Sequence, residues 1–235
     1  MNAPQKDIPF LGHLEELRSR LIKSLFVLAL TSIFSCVFAD EFLKLLIKPV
    51  GHLVFTSPAE GFLATLNVTL WGGVILAFPF ILYQFWAFVS QALTEPERKY
   101  VRIFGPFSLI LFLGGIVFGY FVMVPISLRF LLGFSSASLV PMIRASEYLS
   151  FVGSFVLAFG VVFELPLILV FLAKIGIASP EFLRQQRRYA IVFIFILSAI
   201  LTPPDCASQL LMAAPLLVLY ELGILLSRAV YRPKL

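Results

Sequence analysis

Long stretches without a single Lys, Arg, Asp or Glu constrain this chain more than any motif does. They run from Ser24 to Ala39, Gly61 to Thr94, Ile103 to Leu128, Tyr148 to Ala173 (broken only by Glu164), Tyr189 to Pro204, and Cys206 to Ser227 (broken only by Glu221). A membrane-spanning helix needs about 20 apolar residues, and most of these stretches are long enough. The runs lack the period-two alternation of barrel strands, so helices are the expected spanning elements. With 60% hydrophobic and 13% charged residues the 235-residue chain is far less charged than a soluble domain, for which about 25% is usual. The expected fold class is therefore an all-α integral membrane protein in one polytopic domain. Its expected spans cover residues 22–40, 66–92, 101–125, 148–174, 188–203 and 206–227.

Basic residues set the expected orientation. If the N-terminus is cytoplasmic, fourteen of the eighteen Lys and Arg residues fall on that side, and only Lys44, Lys48, Arg129 and Arg144 fall on the other. The positive-inside rule then places both termini in the cytoplasm. The net charge of +5 reads as orientation in a bilayer and not as a nucleic-acid surface. Spans five and six look short. Tyr189 to Pro204 reaches roughly 24 Å as a helix, against a hydrocarbon core of about 30 Å, and the sixth has a similar apolar length before Glu221. Local bilayer thinning is the expected result.

Helix starts are legible. Ser57-Pro58-Ala59-Glu60 and Thr94-Glu95-Pro96-Glu97 read as capping boxes, Ser179-Pro180-Glu181 opens a short helix, and Ser146 is placed to cap the fourth span. Pro79, Pro166 and Pro215 lie inside spans and are expected to bend them. Cys36 and Cys206 have no metal or redox spacing and read as small buried packing residues, with a mutual disulfide the lesser expectation.

Catalysis finds no support. The aspartates Asp7, Asp40 and Asp205 and the histidines His13 and His52 sit at edges or in loops, and no phosphate loop, cofactor motif or metal-ligand spacing occurs. The polar residues point to binding. Glu164 lies ten residues from Lys174, about 15 Å into the bilayer. Placing a carboxylate there costs at least about 2.5 kcal/mol, so it must face protein or a wet cavity. Glu221 is two turns from Arg228 and can snorkel to the interface. On the cytoplasmic side carboxylates occur at two points, Glu15 and Glu16 before span one and Glu95 and Glu97 before span three. Taken singly, Glu16 pairs at i,i+4 with Arg20 and Glu97 closes a capping box. Together they suit a ligand with two closely spaced guanidinium groups, because Arg binds carboxylates in bidentate forks.

These residues resemble the TatC family of the twin-arginine protein translocase. The likeness rests on His13-Leu14-Glu15-Glu16-Leu17-Arg18-Ser19-Arg20-Leu21 and on Leu82-Tyr83-Gln84-Phe85-Trp86-Ala87-Phe88 leading to Ala92-Leu93-Thr94-Glu95-Pro96-Glu97-Arg98. It extends to Ala158-Phe159-Gly160-Val161-Val162-Phe163-Glu164-Leu165-Pro166 and to Leu201-Thr202-Pro203-Pro204-Asp205 with Gln209. The resemblance implies a glove-shaped six-helix bundle in the bacterial inner membrane that receives the signal peptides of folded cargo. It implies that Glu16 and Glu97 take the paired arginines with Arg18 and Phe88 beside them, and that Glu164 is the polar residue of the concave membrane face. Thr202 and Gln209 would dock the single-span partners TatB and TatA, Pro49 and Asp205 would be further functional positions, and the complex would contain several copies. Transport would draw on the proton-motive force without a cofactor. Where the family often has histidine before the loop glutamate, this chain has Pro96. A proton-coupled small-solute carrier built on Glu164 is the alternative from another class, and a passive scaffold a third.

Overall fold

Nearly every described residue is helical, as a chain whose backbone must satisfy itself in hydrocarbon requires. The computed structural model describes residues 10–133, 141–202 and 206–231. Ten α-helices follow in order: α1 Phe10–Val37, α2 Ala39–Ile47, α3 Pro58–Gln91, α4 Glu95–Phe118, α5 Val124–Leu132, α6 Ala145–Val162, α7 Leu165–Lys174, α8 Pro180–Gln185, α9 Arg187–Leu201 and α10 Cys206–Val230. A π-helical turn, Gly119–Met123, joins α4 to α5. The only bridge between extended residues among those described is a single parallel one, Val54 to Arg144.

Five helical stretches among the described residues are long and apolar enough to cross a membrane: Gly12–Val37, Pro58–Gln91, Glu95–Leu132, Ala145–Lys174 and Ser208–Val230. This is a multi-pass membrane protein. Where the sequence predicted a short fifth span, α9 has 15 residues and is about 22 Å long. The expected sixth short helix is not short. α10 has 25 residues and continues through Glu221, whose carboxylate takes a 2.5 Å bond from Arg187 Nη2 across the α9–α10 pair.

α6 is the central element. Tyr148, Leu149, Val152, Phe155 and Phe159 on it are almost fully buried, and α3, α4 and α9 pack around it. Close crossings use residues without bulk. A Cβ on Gly115 of α4 would lie 2.4 Å from the Phe159 carbonyl oxygen, and one on Gly73 of α3 would lie 2.7 Å from the Ser32 Cα of α1. Small residues let backbones approach where no hydrophobic effect drives helices together. At the second crossing Thr31 Oγ1 donates to the Gly73 carbonyl at 2.9 Å, a bond of the kind worth about 0.6 kcal/mol in a bilayer. α1 otherwise faces outward: the Leu14, Leu17, Leu21 stripe is exposed, and of the charged residues in this segment Glu16 and Arg20 bond to α3.

The end of the bundle away from the N-terminus is tied by polar bonds. Tyr120 Oη and Tyr148 Oη donate to the Leu45 and Leu46 carbonyls in the last turn of α2 at 2.5 and 2.7 Å. α3 begins at Pro58 as expected, but Glu60 does not close a box on Ser57. Its Oε2 accepts from the Thr56 N–H at 2.7 Å and the Thr56 hydroxyl at 2.9 Å, and its Oε1 from the Ser146 hydroxyl at 2.8 Å and the Ser146 N–H at 3.2 Å. Ser146 is therefore committed to Glu60, and Arg144 occupies the N-cap of α6. Glu60 precedes the charge-free stretch, and these donors hold its carboxyl down at about 2, the Thr56 N–H contributing most, against the opposing effect of burial. The predicted capping box Thr94 to Glu97 does form, and Ser179 caps α8 by accepting from the Phe182 N–H at 3.1 Å. Both cysteines are free, and both are exposed instead of buried as expected.

Candidate functional site

The charged lead-in is helical from Phe10, so Glu16 and Arg20 stand one turn apart on the side of α1 that meets α3. Glu16 Oε1 accepts from Arg20 Nε at 2.8 Å and Nη2 at 2.5 Å, and also from Gln91 Nε2. Arg20 Nη1 donates to Gln84 Oε1 at 2.9 Å. Gln84, Phe88 and Gln91 recur at i, i+4 and i+7 on α3, which puts partly buried Phe88 on the same face between the two amides. Three of these four donors converge on one oxygen of Glu16, Oε1. The carboxylate and guanidinium are 24% and 18% exposed, so the pair is reachable from solvent but partly shielded from its screening.

Glu97 stands six residues beyond Gln91, in the first turn of α4, where its Oε2 accepts from the Thr94 N–H at 3.1 Å. An aromatic cluster fixes this corner. Trp86 of α3 packs edge-on against Phe171 of α7 at 5.0 Å, Phe104 of α4 packs against Phe171 at 5.5 Å, and Lys174 Nζ sits 5.0 Å from the Tyr100 ring centre. Glu16 through Gln91, and Glu97 through the short turn after α3, thus belong to the same end of the bundle. Arg18 does not join Glu16. It lies with Glu15, Ser19, Ile22 and Lys23 along a shallow groove of about 330 Å³ on another face of α1.

Glu164 occupies the break between α6 and α7, where Pro166 has no N–H to continue the ladder. It is 5% exposed. Ser108 Oγ of α4 donates to its Oε2 at 2.5 Å, while Oε1 is buried without a protein partner among the described residues. Thr202 is buried and donates to the Ser198 carbonyl at 2.7 Å. Gln209 Nε2 donates to the Phe195 carbonyl at 3.0 Å, and with Ile191, Val192, Phe195, Ile196 and Ala199 it lines an open groove of about 350 Å³ on the α9–α10 hairpin. Pro49 lies in the turn after α2, at the opposite end from Glu16, and Asp205 falls outside the described residues.

Sequence reasoning missed Gln84, Gln91 and Ser108. The two glutamines did carry a signal, since uncharged amides seven residues apart in an apolar run must meet a partner on one helix face. Ser108 carried none, because a serine in a spanning helix can satisfy itself on its own backbone.

A family model described as Sec-independent protein translocase protein (TatC) matches residues 12–215. The chain belongs to the TatC family. It is 44% identical to the Sec-independent protein translocase protein TatC of Carboxydothermus hydrogenoformans over 97% of this chain and 96% of that one. It is 39% identical to TatC of Aquifex aeolicus, over 97% and 98% of the two chains, and 37% identical to TatCd of Bacillus subtilis, over 98% and 96%. A crystal structure titled as the twin-arginine translocase receptor TatC superposes with a TM-score of 0.86 at 38% identity, covering 94% of this chain and all of that one. The expected fold class and family thus hold, and the family is one of translocase components, not enzymes.

Proposed function

We propose that this TatC protein is the signal-peptide receptor of a twin-arginine translocase, with Glu16 and Glu97 taking the paired arginines of the peptide. The observation that carries this reading is that α1 packs on the end of α3, where Glu16 accepts from Gln91, and that Glu97 opens α4 six residues further along the chain. Arg20 on Glu16 supports this reading, since two of its guanidinium N–H groups already converge on one carboxylate oxygen, and it acts as an internal stand-in that the peptide's arginine exchanges with. Phe88 offers an apolar flank, and Arg18 acts from the neighbouring groove. The apolar part of the peptide then follows the membrane face toward the break at Glu164. Thr202 stabilises the end of α9 while Gln209 and its groove receive TatB and TatA, whose gathering is favoured where the 15-residue α9 thins the bilayer. The six spans cross the bacterial inner membrane with both termini cytoplasmic, several copies assemble, and the proton-motive force drives transport.

Site-specific crosslinking of a twin-arginine signal peptide tests the first step. Glu16→Ala and Glu97→Ala are each expected to reduce crosslinking at least tenfold at normal expression, and undiminished crosslinking in both ends the assignment.

A further inference from the structure

A second, larger cavity lies at the end of the bundle remote from Glu16. It holds about 600 Å³ and is bounded by the turn after α2 and by the π turn and α5, with Lys48, Pro49, Arg129 and Gly133 at its rim. Neither Lys48 nor Arg129 has a carboxylate partner among the described residues, and no acidic side chain lines the cavity. Tyr120 and Phe121 line it and also line a neighbouring groove of about 270 Å³ that runs from α2 along α3, past Phe42, Leu46, Trp71 and Leu76. That groove is lined by apolar and aromatic side chains alone, apart from the Tyr120 hydroxyl, which is spent on the Leu45 carbonyl. The π turn makes the junction. Pro125 withholds an N–H from the helix, and the widened turn puts adjacent residues Tyr120 and Phe121, rings 4.9 Å apart, on both cavities.

A cavity with two basic side chains that shares Tyr120 and Phe121 with an apolar groove matches one amphiphile in both halves. We propose that these adjoining cavities bind an anionic phospholipid of the leaflet opposite the N-terminus, its phosphate between Lys48 and Arg129 and one acyl chain in the groove. A basic pocket at the head-group level selects anionic lipids, and each cation near the surface strengthens binding about fivefold. Zwitterionic lipids carry the same phosphate but cancel it with their own cation, so the two head groups separate the charge argument from apolar filling.

Native mass spectrometry of the full chain, released from mixed micelles of phosphatidylglycerol and phosphatidylcholine at equal concentration, reads the retained lipid directly. The wild type is expected to retain phosphatidylglycerol selectively. Lys48→Gln with Arg129→Gln is expected to lower that selectivity about 30-fold, each single change about fivefold, and the charge-preserving exchange Lys48→Arg with Arg129→Lys to keep it. Val117→Trp, which fills the groove from an exposed position, is expected to lose both lipids. Unselective retention by the wild type, or full selectivity in the single and double glutamine variants, would overturn the proposal. So would displacement of the lipid by millimolar inorganic phosphate, which would mark an anion site with no use for the groove.

Discussion

Arg20→Ala probes the arrangement at Glu16 most sharply, because the variant removes a guanidinium that already occupies the carboxylate. The side chain makes two bonds to Glu16 and one to Gln84. A fully exposed i,i+4 pair is worth about 0.3–0.5 kcal/mol and a hydrogen bond to a charged group about 1.5–3 kcal/mol. At 18% and 24% exposure the pair lies between these limits and is screened, so about 1 kcal/mol is a fair value. An incoming arginine must first displace this contact, and it also meets the positive charge of Arg20. Both effects act in one direction. Binding of a fluorescent twin-arginine peptide to the full chain in nanodiscs, followed by anisotropy, is expected to tighten about fivefold in Arg20→Ala. Arg20→Lys, which cannot make the fork, should fall between the variant and the wild type. A tenfold loss of affinity in Arg20→Ala would refute the reasoning, because it would make Arg20 part of the receptor and not its stand-in.

Two further outcomes follow from the buried carboxylates. The carboxyl of Glu60 is held at about 2 against an ordinary value of 4.5, so its contribution to stability is fully present above pH 4.5 and is lost as the pH falls toward 2. Thermal unfolding followed by tryptophan fluorescence should therefore drop across that window in the wild type and be flatter in Glu60→Gln; equal slopes would show that the knot with Thr56 and Ser146 is not responsible. At Glu164, Ser108→Ala leaves the second carboxylate oxygen as unpartnered as the first and is expected to cost about 1–3 kcal/mol, read as a lower melting temperature. The paired change Ser108→Ala with Glu164→Leu should recover most of that loss, and no recovery would mean the cost lies elsewhere in the α4–α6 crossing.

Which features could be read from residues alone follows from their range. Starts at Pro58, Glu95 and Pro180, the break at Pro166 and the brevity of α9 depend on neighbours within a turn or on length, and all were legible. Glu60 was misjudged because Ser57 offered a local partner in the right register, while its partners are Thr56, one residue earlier, and Ser146, 86 residues away. The partner of Glu221 was hidden for the same reason, since nothing near it announces Arg187 on the preceding helix. The pairing of Glu16 with Arg20 was visible as spacing, yet the amides of Gln84 and Gln91 that fasten it to α3 depend on how two helices are juxtaposed. The π turn had only Pro125 to mark it, and a proline marks a bend without stating its kind.

The central claim is that Glu16 and Glu97 each hold one arginine of a pair. A double-mutant cycle measures this directly, combining Glu16→Gln or Glu97→Gln in the receptor with Arg→Gln at either position of the peptide and reading affinity in nanodiscs. The account expects each glutamate to couple to a different arginine by more than about 1 kcal/mol, with little coupling in the crossed combinations. Coupling near zero for all four combinations, with both receptor variants folded, would contradict it.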